Sequence, residues 1–109
     1  MDEQTNQKIQ ELQILEQNLV NIVFQKQTFQ VELSEIQQAI KEINDSKEDV
    51  FKIIGPIMVK TERKKIKQEL EDKEKMFSLR IKAIDKQEKA IAEKSEILRQ
   101  EILKKINQK

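Results

Sequence analysis

The side chains able to do acid–base chemistry here are carboxylates and ammonium groups. They nearly balance, with 20 Asp and Glu against 21 Lys and Arg and a formal net charge of +1. Two carboxylates can share general-acid and general-base work, but only where burial or neighbours push their pKa values apart. In this chain they fall on the polar faces of helical repeats, with no nucleophile or phosphate-cradling loop beside them. There is no His and no Cys. The commonest general base and the commonest transition-metal ligand are therefore missing, as are thiolate metal sites and disulfides. The expectation is a protein that is not an enzyme and has no cofactor and no metal site.

Charge also narrows the partners. A near-neutral chain has no global pull toward nucleic acid or an anionic membrane. The densest basic run, Lys60-Thr61-Glu62-Arg63-Lys64-Lys65-Ile66-Lys67, is broken by Glu62 and has no aromatic residue to stack on bases. It is expected to be the solvated first turn of a helix. Binding of nucleic acid through 60–67 is the lesser alternative, marked by steep salt dependence. The start, Met1-Asp2-Glu3-Gln4-Thr5, has no apolar signal core. No apolar run approaches the roughly 20 residues that span a bilayer. A cytoplasmic protein without membrane contact is expected.

The elements that carry these side chains are helices. With one Gly, one Pro and abundant Lys, Glu, Gln and Ile, the composition favours long helices and few loops. From Leu12 the apolar residues recur in steps of three and four: Leu12, Leu15, Leu19, Ile22, then Lys26, Phe29, Leu33, Ile36, Ile40, Ile43. Such a heptad pattern keeps one stripe against a partner helix. A first helix over about 5–44 follows, roughly 60 Å long at 1.5 Å per residue. The polar stretch Asn44–Asp49 ends it. Val50–Thr61 then changes period, rich in β-branched residues around the only Gly and the only Pro. It reads as a β-hairpin over about 50–60. Pro56 excludes a type I′ turn, because proline cannot take positive φ. Thr61 is expected to cap a second helix over about 62–106. Its seam is Leu70, Phe77, Ile84, Ile91 and Leu98, with a weaker companion stripe of Glu74, Ile81, Glu88, Ser95 and Ile102.

Helices joined by a hairpin run antiparallel. The register sets Ile40 against Leu70, Leu33 against Phe77, Phe29 against Ile81, Leu19 against Ile91 and Leu12 against Leu98. Lys26 then lies one turn from Glu88: an ion pair between them would help fix register, and a Lys26 side chain reaching out to solvent from a half-exposed seam is an equal alternative. Past Leu98, the residues Ile102, Leu103 and Ile106 face only Gln4–Lys8. The terminal end reads as apolar and loosely paired, either an adaptable binding surface or, equally, a frayed terminus with ordinary scattered hydrophobes. The hairpin is apolar on both faces, through Val50, Phe51, Ile53, Ile54, Ile57, Met58 and Val59. Two strands alone are marginal in water, so oligomerisation through this element is expected.

Taken together the chain, 1–109, reads as a single domain. It is a mainly α, long antiparallel two-helix coiled coil connected by a short β-hairpin. This pattern resembles the beta-type subunit of prefoldin over essentially its whole length. The resemblance is most specific in Phe51-Lys52-Ile53-Ile54-Gly55-Pro56-Ile57-Met58-Val59-Lys60, in Gln25-Lys26-Gln27 and in Ile84-Asp85-Lys86-Gln87-Glu88. One hairpin rather than two is the beta-type form. The resemblance implies an ATP-independent molecular chaperone (holdase), a hexamer of two alpha-type and four beta-type subunits. Such a complex binds non-native polypeptides at coiled-coil tips and delivers them to a group II chaperonin. Carried over, Val50, Phe51, Ile53, Ile54, Gly55, Pro56, Ile57, Met58 and Val59 would form the assembly element. Ile9, Ile14, Ile102, Leu103 and Ile106 would lie at the client-binding tip. The alternative is a scaffolding coiled-coil oligomerisation protein, which would have no use for a two-faced apolar hairpin.

Overall fold

A computed structural model describes residues 2–107. The order of elements is α1 (Glu3–Asp45), β1 (Val50–Ile54), β2 (Ile57–Thr61) and α2 (Arg63–Ile106). The two helices run antiparallel: early residues of α1 meet late residues of α2, as in Lys8–Glu101 and Lys26–Asp85. Packing divides the chain into two compact units. The hairpin unit is Thr28–Ile81, and the terminal unit comprises the residues up to Gln27 and from Lys82 onward.

Each helix begins where a side chain or backbone group can take up its first turn. Asp2 accepts a hydrogen bond from the Thr5 amide at 2.7 Å through Oδ1, and its carbonyl accepts from Asn6. This N-cap starts α1 at Glu3, ahead of the expected 5. At α2 the Glu62 carbonyl accepts the first helical bond, from the Ile66 amide. The cap position is therefore Glu62, a correction to the expected Thr61, because Thr61 is still held in β2 opposite Val50.

In the hairpin unit, β1 and β2 pair antiparallel, with Phe51 opposite Lys60, Ile53 opposite Met58 and Ile54 opposite Ile57. Gly55 and Pro56 make the turn. Gly55 has φ of 58°, and among the described residues none other than glycine has positive φ. A positive first position followed by proline is the type II′ pattern, which matches the twist of the strands. The seam of this unit carries Phe29 against Phe77, with ring centroids 5.6 Å apart. Arg80 lies 5.8 Å from both ring centroids. Phe77 was expected opposite Leu33; long aromatic side chains lean along the helix and reach the adjacent layer.

In the terminal unit the core is thin. Ile84, Leu98 and Ile102 are its buried hydrophobic residues, joined by Thr5 and Ser95. The seam thus continues past Leu98, and Ile102 is only 7% exposed.

Candidate functional site

The first candidate surface is the hairpin. Paired residues of an antiparallel ribbon share a face and successive residues alternate. One face therefore presents Val50, Lys52, Ile54, Ile57 and Val59, and the other Phe51, Ile53, Met58 and Lys60. Both faces are open: every residue from 51 to 60 is exposed, Ile53 at 71% and Met58 at 65%. The two edges are unpaired as well, since the sheet has two strands only. Beneath β1 an open cleft of about 510 Å³ is lined by Ile43, Val50, Phe51, Ile66 and Leu70 among others. Its apolar walls suit a side chain inserted from outside.

Polar contacts fix the hairpin on its helices. Lys52 Nζ bonds Glu69 Oε2 on α2 at 3.1 Å. Lys60 Nζ lies 3.5 Å from Asp49 Oδ2, across the base of the ribbon. Arg63, in the first turn of α2, donates to the backbone carbonyls of Ile43 and Glu48. It thereby satisfies the frayed end of α1 and sets the path of the loop into β1. Arg63 was missed from the sequence, because a guanidinium in a basic run gives no sign that its partners are carbonyls.

The second candidate surface is in the terminal unit. Of the five residues expected there, Ile14, Leu103 and Ile106 are exposed, Leu103 at 46%, and Ile9 is half-buried. Ile102 is the correction. It was expected to stand open at a loosely paired end, yet it is buried, and Thr5, within the stretch expected to face it, is buried too (2% exposed). The same unit exposes Val20, Phe24 and Ile97. A shallow apolar depression of about 350 Å³ runs along Leu19, Val20, Val23 and Phe24.

Ion pairs hold this unit in register. Lys26 Nζ contacts Asp85 Oδ1 at 2.6 Å and Glu88 Oε2 at 3.1 Å. The Lys26–Glu88 pair follows from the heptads; Asp85, the closer partner, flanks the seam and was not anticipated. The hydrogen bond to Asp85, then that to Glu88, holds the Lys26 ammonium above the usual lysine range. Arg99 bridges Glu16 on α1 at 2.9 Å and Glu96 on its own helix at 2.8 Å. These bonds, Glu16 first, raise the Arg99 guanidinium likewise. Asp2 is held below the usual carboxylate range by its hydrogen bonds to Thr5, with Lys105 3.8 Å away.

Among the described residues no group of three or more acidic side chains is placed to hold a metal ion. Among the same residues no helix is long and apolar enough to cross a membrane.

An antiparallel helix pair with an exposed, two-faced apolar hairpin defines a class of coiled-coil protein built to assemble with other chains. A family model described as "Prefoldin subunit" matches residues 6–109. The chain is 35% identical over 94 residues to the prefoldin subunit beta of Thermococcus onnurineus, covering 84% of this chain and 81% of that protein. To the prefoldin subunit beta of Thermoplasma volcanium it is 34% identical over 104 residues, covering 93% and 84%. It is similar in structure to the crystal structure of the prefoldin beta subunit from Thermococcus strain KS-1. There the TM-score is 0.90 at 32% identity, covering 99% of this chain and 96% of that one. The chain belongs to the prefoldin family, as a subunit of the beta type. Prefoldin subunits are non-enzymatic chaperones, and this chain is accordingly a chaperone subunit that assembles into a prefoldin complex.

Proposed function

We propose that the chain works as a single domain in a cytoplasmic, ATP-independent hexameric holdase, with two alpha-type and four beta-type subunits. In this reading the hairpin, Val50–Val59, is the assembly element. The terminal unit holds non-native polypeptides through Ile9, Ile14, Leu103 and Ile106, with Ile102 supporting them from within the seam. Bound clients pass to a group II chaperonin. The observation that carries the reading is the hairpin, whose apolar side chains stand open on both faces and both edges. Burying such surface contributes about 25 cal/mol per Å², and a two-stranded ribbon cannot cover it alone. The exposed aliphatics of the terminal unit are scattered and flexible in reach, which suits clients without a defined shape.

The test is suppression of aggregation of a denatured protein by the purified chain, with and without an alpha-type subunit. Protection that is greatest with both subunits present, together with complex formation with a group II chaperonin, is the expected result. Absence of protection in either case, with a simple two-chain coiled coil by mass, would instead indicate a scaffold.

A further inference from the structure

The basic run that the assembly reading leaves unused lies beside the hairpin and lines an open cleft of about 620 Å³. Its walls include Ile43, Asn44 and Ser46 at the end of α1, and Lys47, Lys64 and Lys67. Arg63 also borders it, but its guanidinium is committed to the carbonyls of Ile43 and Glu48. The three lysines are uncommitted. Among the described residues none has a carboxylate within 4.0 Å, although Lys67 is half-buried. The same loop carries the opposite charge. Asp45 and Glu48 are exposed, and among the described residues no cation lies within 4.0 Å of either carboxylate. Arg63 fixes the loop between the two sets of charges, and they do not neutralise each other within the chain.

We propose that this cleft receives the acidic loop of a second copy of the chain, Asp45 and Glu48 against Lys47, Lys64 and Lys67. The proposal rests on the hairpin being the assembly element, because the cleft adjoins the hairpin and shares Ile43 and Ser46 with the apolar cleft beneath β1. Each chain carries both the basic cleft and the acidic loop, so two copies can satisfy each other reciprocally, residue i meeting j and j meeting i. Charge pairs of this kind set register and partner choice more than they add affinity. A nucleic acid would meet the lysines equally well, but it would leave Asp45 and Glu48 facing phosphates across the same loop.

The test measures self-association of the full-length chain at about 0.1 M and about 1 M salt, across which the Debye length falls from ~10 Å to ~3 Å. The Lys64→Glu/Lys67→Glu chain is expected to associate about tenfold more weakly at the lower salt and to recover as salt rises, because like charges then face each other and are screened. The Asp45→Lys/Glu48→Lys chain is expected to do the same. An equimolar mixture of the two recovers wild-type association, because every cleft then meets a loop of opposite charge. The milder Lys64→Gln/Lys67→Gln chain, with helicity followed by circular dichroism, guards against a reversal that simply unfolds the hairpin unit. An Ile53→Asp chain is expected to lose association at both salts; if it does not, the hairpin reading fails and this proposal with it. Wild-type association that ignores charge reversal overturns the proposal. So does a chain that is monomeric alone at the lower salt and assembles only with an alpha-type subunit, which leaves the assembly reading intact. Salt-sensitive binding of a single-stranded oligonucleotide through Lys64 and Lys67, with association unchanged, also overturns it.

Discussion

Lys26 sits where the heptads of α1 ask for an apolar side chain, and it is retained there by two carboxylates. Its contact with Asp85, at 2.6 Å, is shorter than that with Glu88, at 3.1 Å. The two acids are therefore not equivalent. Glu88→Gln leaves the closer charge in place, whereas Lys26→Met leaves two neighbouring carboxylates without their cation. Thermal unfolding at neutral pH is expected to show a larger loss for Lys26→Met than for Glu88→Gln; the reverse order would make Glu88 the principal partner. The lysine pKa is raised from its ordinary value of 10.5. Its contribution to stability is therefore complete below that pH and is lost only as pH rises through the higher folded value. Ser95 presents the opposite case, a buried hydroxyl with no hydrogen-bond partner in the terminal seam. Removing an unsatisfied buried polar group while keeping the helix is favourable, so Ser95→Ala is expected to stabilise the chain by about 1 kcal/mol in denaturant unfolding. A loss instead would mean that the hydroxyl bonds back to a carbonyl of its own helix. The Lys26–Glu88 pair was legible in the sequence because both residues occupy seam positions. Asp85 was not, since a flanking carboxylate has many solvated alternatives.

The elements were read from the sequence with different success for physical reasons. The helices announce themselves through period and length, so their existence and direction follow from Leu12–Ile43 and Leu70–Leu98. Their ends depend on single caps. Asp2 lies in a polar start that gives no local sign of a cap, and Thr61 has a cap-forming side chain while nothing local says that β2 holds it. The hairpin was legible from its β-branched residues and its one Gly-Pro, but the turn type was not, because only the observed φ of 58° at Gly55 distinguishes the alternatives. That angle makes a specific prediction. A Cβ at Gly55 would meet nothing within 4 Å, so the penalty of substitution is one of backbone conformation and not of space. Gly55→Ala is expected to destabilise the hairpin by ~1–3 kcal/mol, the usual range for a non-glycine residue held in a disfavoured region. The measurement is association of the Gly55→Ala chain with its partner subunits, which should weaken while helicity is kept. Unchanged association would show that the turn can shift to a conformation with negative φ at that position.

For the whole molecule the main consequence is that burial is scarce and unevenly distributed. The hairpin unit leaves its apolar ribbon open, and the terminal unit buries few hydrophobic residues, Ile84, Leu98 and Ile102. Stability in such a chain is tied to association, because anything that binds the folded form raises its stability by mass action. The sequence marks the open hairpin but puts the loose pairing at the terminal end, whereas the buried residues Thr5, Ile84, Ser95, Leu98 and Ile102 all lie in the terminal unit. Heptad counting cannot tell whether a polar stretch such as Gln4–Lys8 leaves Ile102 open. Ile102 and Leu103 are adjacent in sequence and yet belong to different classes, at 7% and 46% exposure. They should therefore fail differently when shortened. Ile102→Ala removes buried aliphatic volume and is expected to cost about 2–5 kcal/mol of stability. Its effect on client holding should disappear once the chain is kept folded at low temperature. Leu103→Ala, alone or with Ile106→Ala, removes exposed surface and is expected to change stability by no more than about 0.5 kcal/mol. It should nevertheless lower the capacity to suppress aggregation at every temperature, with assembly mass unchanged. If Leu103→Ala and Ile106→Ala left aggregation suppression intact, the holding surface would have to be sought instead among other exposed apolar residues of that unit, such as Val20 and Phe24 beside the apolar depression.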